Sequence, residues 1–366
     1  MKKDQATCSN KAPKRTKRAR MLARAEHVET TVQAREFEEQ TLAFQVKEFV
    51  LCGLPYKPLK SSEYQRRNGN FSFRMVGSPS YGLPYGQDRL VLLWMVTAFQ
   101  LLGCPEDNLI RFRSASDVIR AFFPDFQTRK LSGRDLERLQ GRFERLFYTT
   151  FYFQDATRKK TLADDSFRLL RRTRLWFDDA DKSPKGLWQN VLQLSPEFAE
   201  MIRTSSLPFD MQTIRGLKES PAALDLYLWL SWRSFRARPG YPDGEAIPLF
   251  GPTGLFAQFS TVASEQWKAR QLLKGWLEEV KTFWPESPAE LSEDGLYLLV
   301  RRAQSQGAKA VQSHAPLLLP GVSRNPPVPL LPYAALPAPK ATLGSPYLLL
   351  INDPNDDEFI DPVDDK

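Results

Sequence analysis

Residues 132–147 fix more of this chain than any other stretch, because they carry two incompatible surfaces on one helical period. Arg134, Arg138, Arg142 and Arg145 recur at spacings of four, four and three, which places them along one helix face. Leu136, Leu139, Phe143, Leu146 and Phe147 fall on the other face. Ser132 and Asp135 have the spacing of a capping box, so the helix starts there. The following residues, Tyr148 to Phe153, read as an aromatic strand. Arg158, Lys159 and Lys160 read as a charged turn, and 166–172 as the returning strand. A helix buried on one side and followed by a basic hairpin is the layout of a winged helix, a relative of the helix-turn-helix that reads duplex DNA.

Charge supports a polyanion partner. The formal net charge is +8, and residues 1–24 hold nine Lys/Arg against one acid, so the rest of the chain sums to zero. Within that remainder, residues 131–174 hold eleven basic against six acidic residues, whereas 303–366 hold four against seven. Such segregation gives a basic arm, a basic module and an acidic tail. An exposed face laced with Asp135, Glu137 and Glu144 is the blander reading of the arginine helix, worth a few tenths of a kcal/mol per pair, roughly. The uncompensated cations of the adjoining hairpin weigh against it.

The element order recurs. An apolar helix over Leu90–Val96, a short strand at Leu109–Arg113 and a capped helix from Ser114 precede the arginine helix. In the second half an apolar helix follows Pro221, and a strand is expected over Ala246–Phe250. A short helix over Pro252–Phe259, a long one over Ser264–Phe283 and a strand after Gly295 complete it. In the long helix Leu272, Leu273, Trp276, Leu277 and Val280 are expected inside, and Lys268, Arg270, Gln271 and Lys274 outside. Residues 191–196 read as a strand and 197–203 as a helix, together a connecting element between the halves, and 26–50 as one helix ahead of a polar linker. The fold class expected is α+β, mainly helical, with two winged-helix domains in tandem and disordered N- and C-terminal tails. The divisions are a basic arm at 1–24, a helix and linker at 25–80, and domains at 81–185 and 186–302. A Pro-rich acidic tail occupies 303–366, which holds eleven of the 28 prolines.

Little competes chemically. The two histidines, His27 and His314, lie outside both halves, which leaves no paired-histidine metal cradle and argues against a Ser-His-Asp triad. There is no G-x-x-x-x-G-K-[ST] loop. Asp178, Asp179 and Asp181 read as a solvated loop rather than a metal site. Cys8, Cys52 and Cys104 suit a reducing compartment and no disulfide framework. No catalytic residue, metal or cofactor is expected, nor a membrane, and the expected location is cytoplasmic. A primase or nuclease with an unrecognised site is the rival from another class, and magnesium-dependent activity would reveal it.

The chain resembles the plasmid replication initiators of the RepA type, which have paired winged helices. Three blocks carry the resemblance: Leu83-Pro84-Tyr85-Gly86 with Arg89; Pro208-Phe209-Asp210 ahead of Ser220 to Leu230; and Phe283-Trp284-Pro285 leading to the strand after Gly295. They span about residues 70–302 and leave the arm and tail outside. The resemblance implies a sequence-specific double-stranded DNA-binding protein that binds direct repeats (iterons) at a plasmid origin in a bacterial cytoplasm. It implies recruitment of the host initiator and replicative helicase, repression of its own gene, and a homodimer that gives way to DNA-binding monomers. On this chain Arg134, Arg138, Arg142 and Arg145 would face one major groove, with Arg158, Lys159 and Lys160 on phosphate or minor groove. Lys268, Arg270, Gln271 and Lys274 would do the same in the groove a helical turn away. A winged-helix transcription regulator without a replication role is the alternative.

Overall fold

The computed structural model describes residues 42–112, 114–122, 132–155, 164–174, 190–238, 241, 243–259 and 265–303, all within one compact unit. The arm, nearly all of the tail, the Arg158–Lys160 turn and the Asp178–Asp181 loop lie outside these residues. The fold is α+β. Strand β1 (Leu42–Val46) runs directly into helix α1 (Lys47–Leu51). The single helix expected over 26–50 is therefore corrected within its described residues. The five residues of β1 pair antiparallel with β9 (Ser206–Asp210), and Ala43 and Val46 are fully buried. A partner about 160 residues away overrides a weak local helical pattern.

The expected polar linker also contains structure. Strands β2 (Glu63–Asn68) and β3 (Phe71–Val76) form a hairpin, which β5 (Thr150–Asp155) and β6 (Asp164–Arg168) extend to a four-stranded sheet ordered β2-β3-β5-β6. Its inner face is aromatic. Phe73 stacks on Phe151 and Phe153, with ring centroids 6.2 and 5.2 Å apart, and Phe49 of α1 meets all three edge-on.

A second sheet carries the first repeat of the expected element order. Helix α2 (Asp88–Leu101) is buried on nearly every side. It is followed by β4 (Leu109–Phe112), α3 (Ala115–Phe122) and α4 (Gly133–Phe147). Two further strands, β7 (Leu170–Arg174) and β8 (Asn190–Leu194), complete an antiparallel sheet ordered β4-β8-β7. Two expectations change here. The returning strand over 166–172 is divided near Leu169, and its halves join different sheets. The strand and helix expected over 191–203 both form, as β8 and α5 (Pro196–Ser205), but β8 is the central strand of this sheet rather than part of a connector.

The second repeat has no intervening pair of strands. Helix α6 (Met211–Leu217) precedes α7 (Pro221–Arg236), which is buried almost all round. Then come β10 (Glu245–Pro248), α8 (Leu255–Gln258), α9 (Gln266–Phe283), β11 (Ala289–Leu291) and β12 (Tyr297–Val300). Their antiparallel sheet is ordered β10-β12-β11. In each repeat the last strand thus lies between the other two. One continuous hydrophobic core runs through both repeats, from Ala43 to Val300.

The three blocks behind the family resemblance meet in this core. Arg89 reaches across to Asp225, with Nε–Oδ1 at 2.9 Å and Nη2–Oδ2 at 3.0 Å, and also donates to the Leu54 and Gly86 carbonyls. The Tyr227 hydroxyl accepts from the Asp210 backbone N–H at 3.1 Å, and its ring meets Trp284 edge-on at 5.8 Å. Gly216 lets α6 lie against α9, because a Cβ there would sit 2.4 Å from the Phe283 ring.

Candidate nucleic-acid interface

Helix α4 starts at the expected capping box. Ser132 Oγ accepts from the Asp135 N–H at 3.3 Å, and Asp135 Oδ2 accepts from the Ser132 N–H at 3.1 Å. Leu139, Phe143 and Leu146 are buried, while Leu136 and Phe147 pack at the rim of the core. The arginine stripe does form, yet its two halves meet different surroundings. Arg134 is exposed, and so is Arg138, whose guanidinium is 3.8 Å from Asp135 with 72% of the side chain accessible.

Arg142 and Arg145 point inward. Arg145 makes a bidentate pair with buried Asp88, Nε–Oδ2 at 2.6 Å and Nη2–Oδ1 at 2.8 Å, and its guanidinium lies 4.8 Å over the Tyr85 ring. Arg142 donates to Gln87 Oε1 and stands 4.0 Å from Asp88. Burial pulls the Arg142 pKa below its ordinary value, against the opposing charge of Asp88. At Arg145 burial pulls the same way, but the hydrogen bond and charge of Asp88 outweigh it and the pKa rises. The expectation of four arginines free along one face is corrected accordingly. Periodicity sets the direction of a side chain; it does not say what lies opposite. Here the C-terminal half of α4 crosses the Tyr85–Asp88 turn that opens α2.

The expected hairpin forms, β5 pairing antiparallel with β6, but its strands belong to the four-stranded sheet, and Arg158, Lys159 and Lys160 between them lie outside the described residues. The hairpin that completes the β4-β8-β7 sheet is β7–β8, and its first strand exposes Arg171 and Arg172. The sequence shows both cations, but only the strand pairing assigns them to this hairpin.

On α9, Leu273, Leu277, Val280 and Phe283 are buried, Trp276 is half-buried, and Leu272 is corrected to an exposed position. Lys268, Gln271 and Lys274 are exposed as expected. Lys268 is 3.2 Å from Glu265 and its ammonium sits 5.3 Å from the Trp267 ring centre. Arg270 behaves differently. It lies half-buried, 5.4 Å over the Phe250 ring and against Gly295 in the β11–β12 turn, where its charge helps hold the Asp294 carboxyl below its usual range. The hydrogen bonds from Ser292 and the Leu296 N–H lower Asp294 more strongly.

Among the described residues no group of histidine, cysteine, aspartate and glutamate is placed to hold a metal ion. No helix there is long and apolar enough to cross a membrane.

Residues 115–245 match the family model described as plasmid encoded RepA protein. That stretch is similar to the RepA family. It runs from α3 to the first residue of β10, so it contains α4, the β7–β8 hairpin and the block from Pro208 to Leu230, while α9 lies beyond it. Among solved structures, a crystal structure of selenomethionine-derivatised domains 2 and 3 of RctB is 15% identical with a TM-score of 0.42, covering 67% of this chain and 85% of that one. A second crystal structure of RctB domains 2–3 is 13% identical with a TM-score of 0.34, covering 68% and 86%. No curated protein matches the chain.

Proposed function

We propose that the chain is a plasmid replication initiator that binds double-stranded DNA through two winged helices in tandem, at direct repeats of an origin. The observation that carries this reading is the duplicated connectivity. In each repeat a helix, a strand and two helices lead to two strands that complete a three-stranded sheet, in the first repeat after β5 and β6 have joined the four-stranded sheet. Each three-stranded sheet places its last strand between the other two, β4-β8-β7 and β10-β12-β11. In that scheme α4 and α9 are the groove-reading helices and β7–β8 and β11–β12 the wings. The RepA match over 115–245 supports the replication role.

The contact set follows from exposure. Arg134 and Arg138 read the first groove, with Arg171 and Arg172 on phosphate. Lys268, Gln271 and Lys274 serve the second groove. Arg142, Arg145 and Arg270 hold the two helices in place rather than touching DNA. Phosphate contacts supply affinity and its salt dependence, and base-edge contacts supply specificity. No catalytic step belongs to the chain in this reading. The host initiator and replicative helicase do the enzymatic work, and a dimer of the chain gives way to the DNA-binding monomer and controls its own gene.

The test is a plasmid whose only replication determinants are this gene and the flanking repeats. Maintenance in a host, lost with the double variant Arg134→Ala, Arg138→Ala, is the expected result. Repeat binding and repression without maintenance would instead mean a transcription regulator.

A further inference from the structure

We propose that Trp267 is a base-reading residue of the second module, its indole closing on a thymine methyl group in the major groove beside Gln271. The inference rests on the duplex-binding reading above. Trp267 is the one exposed tryptophan among the described residues, with 54% of its surface accessible, whereas Trp94, Trp229 and Trp284 are buried. It packs on none of the core. Its ring partner is the Lys268 ammonium, 5.3 Å from the ring centre, and Lys268 is itself tied to Glu265.

The neighbours say what covers the indole. Gln271 and Lys274 stand four and seven residues further along, so all three share one exposed ridge of α9. Beside that ridge is Gly275, where a Cβ would meet nothing within 4 Å, so a bulky rod can approach the helix closely. Residues 266–274 contain Lys268, Arg270 and Lys274 and no acid, which suits a polyanion and is a poor match for an apolar protein surface. In the major groove a glutamine pairs with adenine N6 and N7, and an apolar side chain meets the thymine methyl. A ridge of Trp267, Gln271 and Lys274 therefore reads an A·T-containing step and grips the adjoining phosphate.

The test uses the full chain and 40-bp duplexes enriched by it from a random-sequence pool. Uracil then replaces thymine one position at a time, which removes only the methyl group. At one position wild-type binding should weaken about fourfold, the worth of one buried methyl group. Trp267→Ala should bind the thymine duplex about fourfold or more weakly and ignore the uracil replacement. Trp267→Phe should keep some of the discrimination, and both variants should melt at the wild-type temperature. Full thymine discrimination by Trp267→Ala would overturn the proposal, as would a large fall in its melting temperature. Unchanged DNA binding with lost self-association in sedimentation would overturn it too, marking a protein interface. Failure to enrich any sequence would refute the duplex-binding reading itself, a result distinct from all of these.

Discussion

Asp88 decides which arginines of α4 remain available. It takes Arg145 in a two-point pair and draws in Arg142, so the four residues of one stripe do two jobs. Arg145→Ala should lower stability by about 3 kcal/mol, because it strands a buried carboxylate, and thermal melting would show it. Arg138→Ala should leave the melting temperature alone and cost about 1–3 kcal/mol of discrimination at one base pair. Asp225 makes a pH prediction. Burial pushes its carboxyl from 3.8 up to about 6, with the charge and hydrogen bonds of Arg89 opposing. Between those values the folded chain keeps a proton that the unfolded chain releases. Its contribution is therefore full below about pH 4 and is lost as the pH rises through about 6. Urea midpoints of wild type relative to Asp225→Asn should fall over that window and level off above it. A constant difference would show that Asp225 does not titrate there.

Elements whose partners are close in sequence are legible from sequence. The capping box at Ser132, the buried face of α4 and the all-round apolar helices α2 and α7 follow from spacing alone. What spacing hides is pairing at long range. Strand β1 exists because β9 lies beside it, and the β2–β3 hairpin because β5 extends it. The division of the returning strand is hidden for the same reason: β6 pairs with β5 and β7 with β8. Two successive hairpins carry cations, and only the division at Leu169 tells which one completes the β4-β8-β7 sheet. Arg171→Ala and Arg172→Ala should each weaken binding to all sequences alike and reduce the slope of log affinity against log salt by about one. Gly216 belongs to this scale as well. Gly216→Ala should cost about 1–3 kcal/mol in denaturant unfolding by pushing α6 off Phe283.

Across the whole molecule, the two repeats are joined by buried polar bonds as well as by a shared core. Arg89 meets Asp225, Gln87 donates to the Lys218 carbonyl at 3.4 Å, and Arg215 donates to the Ala121 carbonyl at 2.8 Å. Arg89→Met should cost about 3–5 kcal/mol because it leaves Asp225 buried without its partner, and adding Asp225→Leu should recover some of that loss. So joined, the repeats present α4 and α9 on one body, and the claim at the centre is that both lie on one duplex. Hydroxyl-radical footprinting of the full chain on its enriched duplex tests this most directly. Two protected patches about one helical turn apart are predicted. Arg134→Ala with Arg138→Ala should erase one patch, and Gln271→Ala with Lys274→Ala the other. A single patch that both pairs of substitutions weaken equally, or that neither affects, would contradict the account.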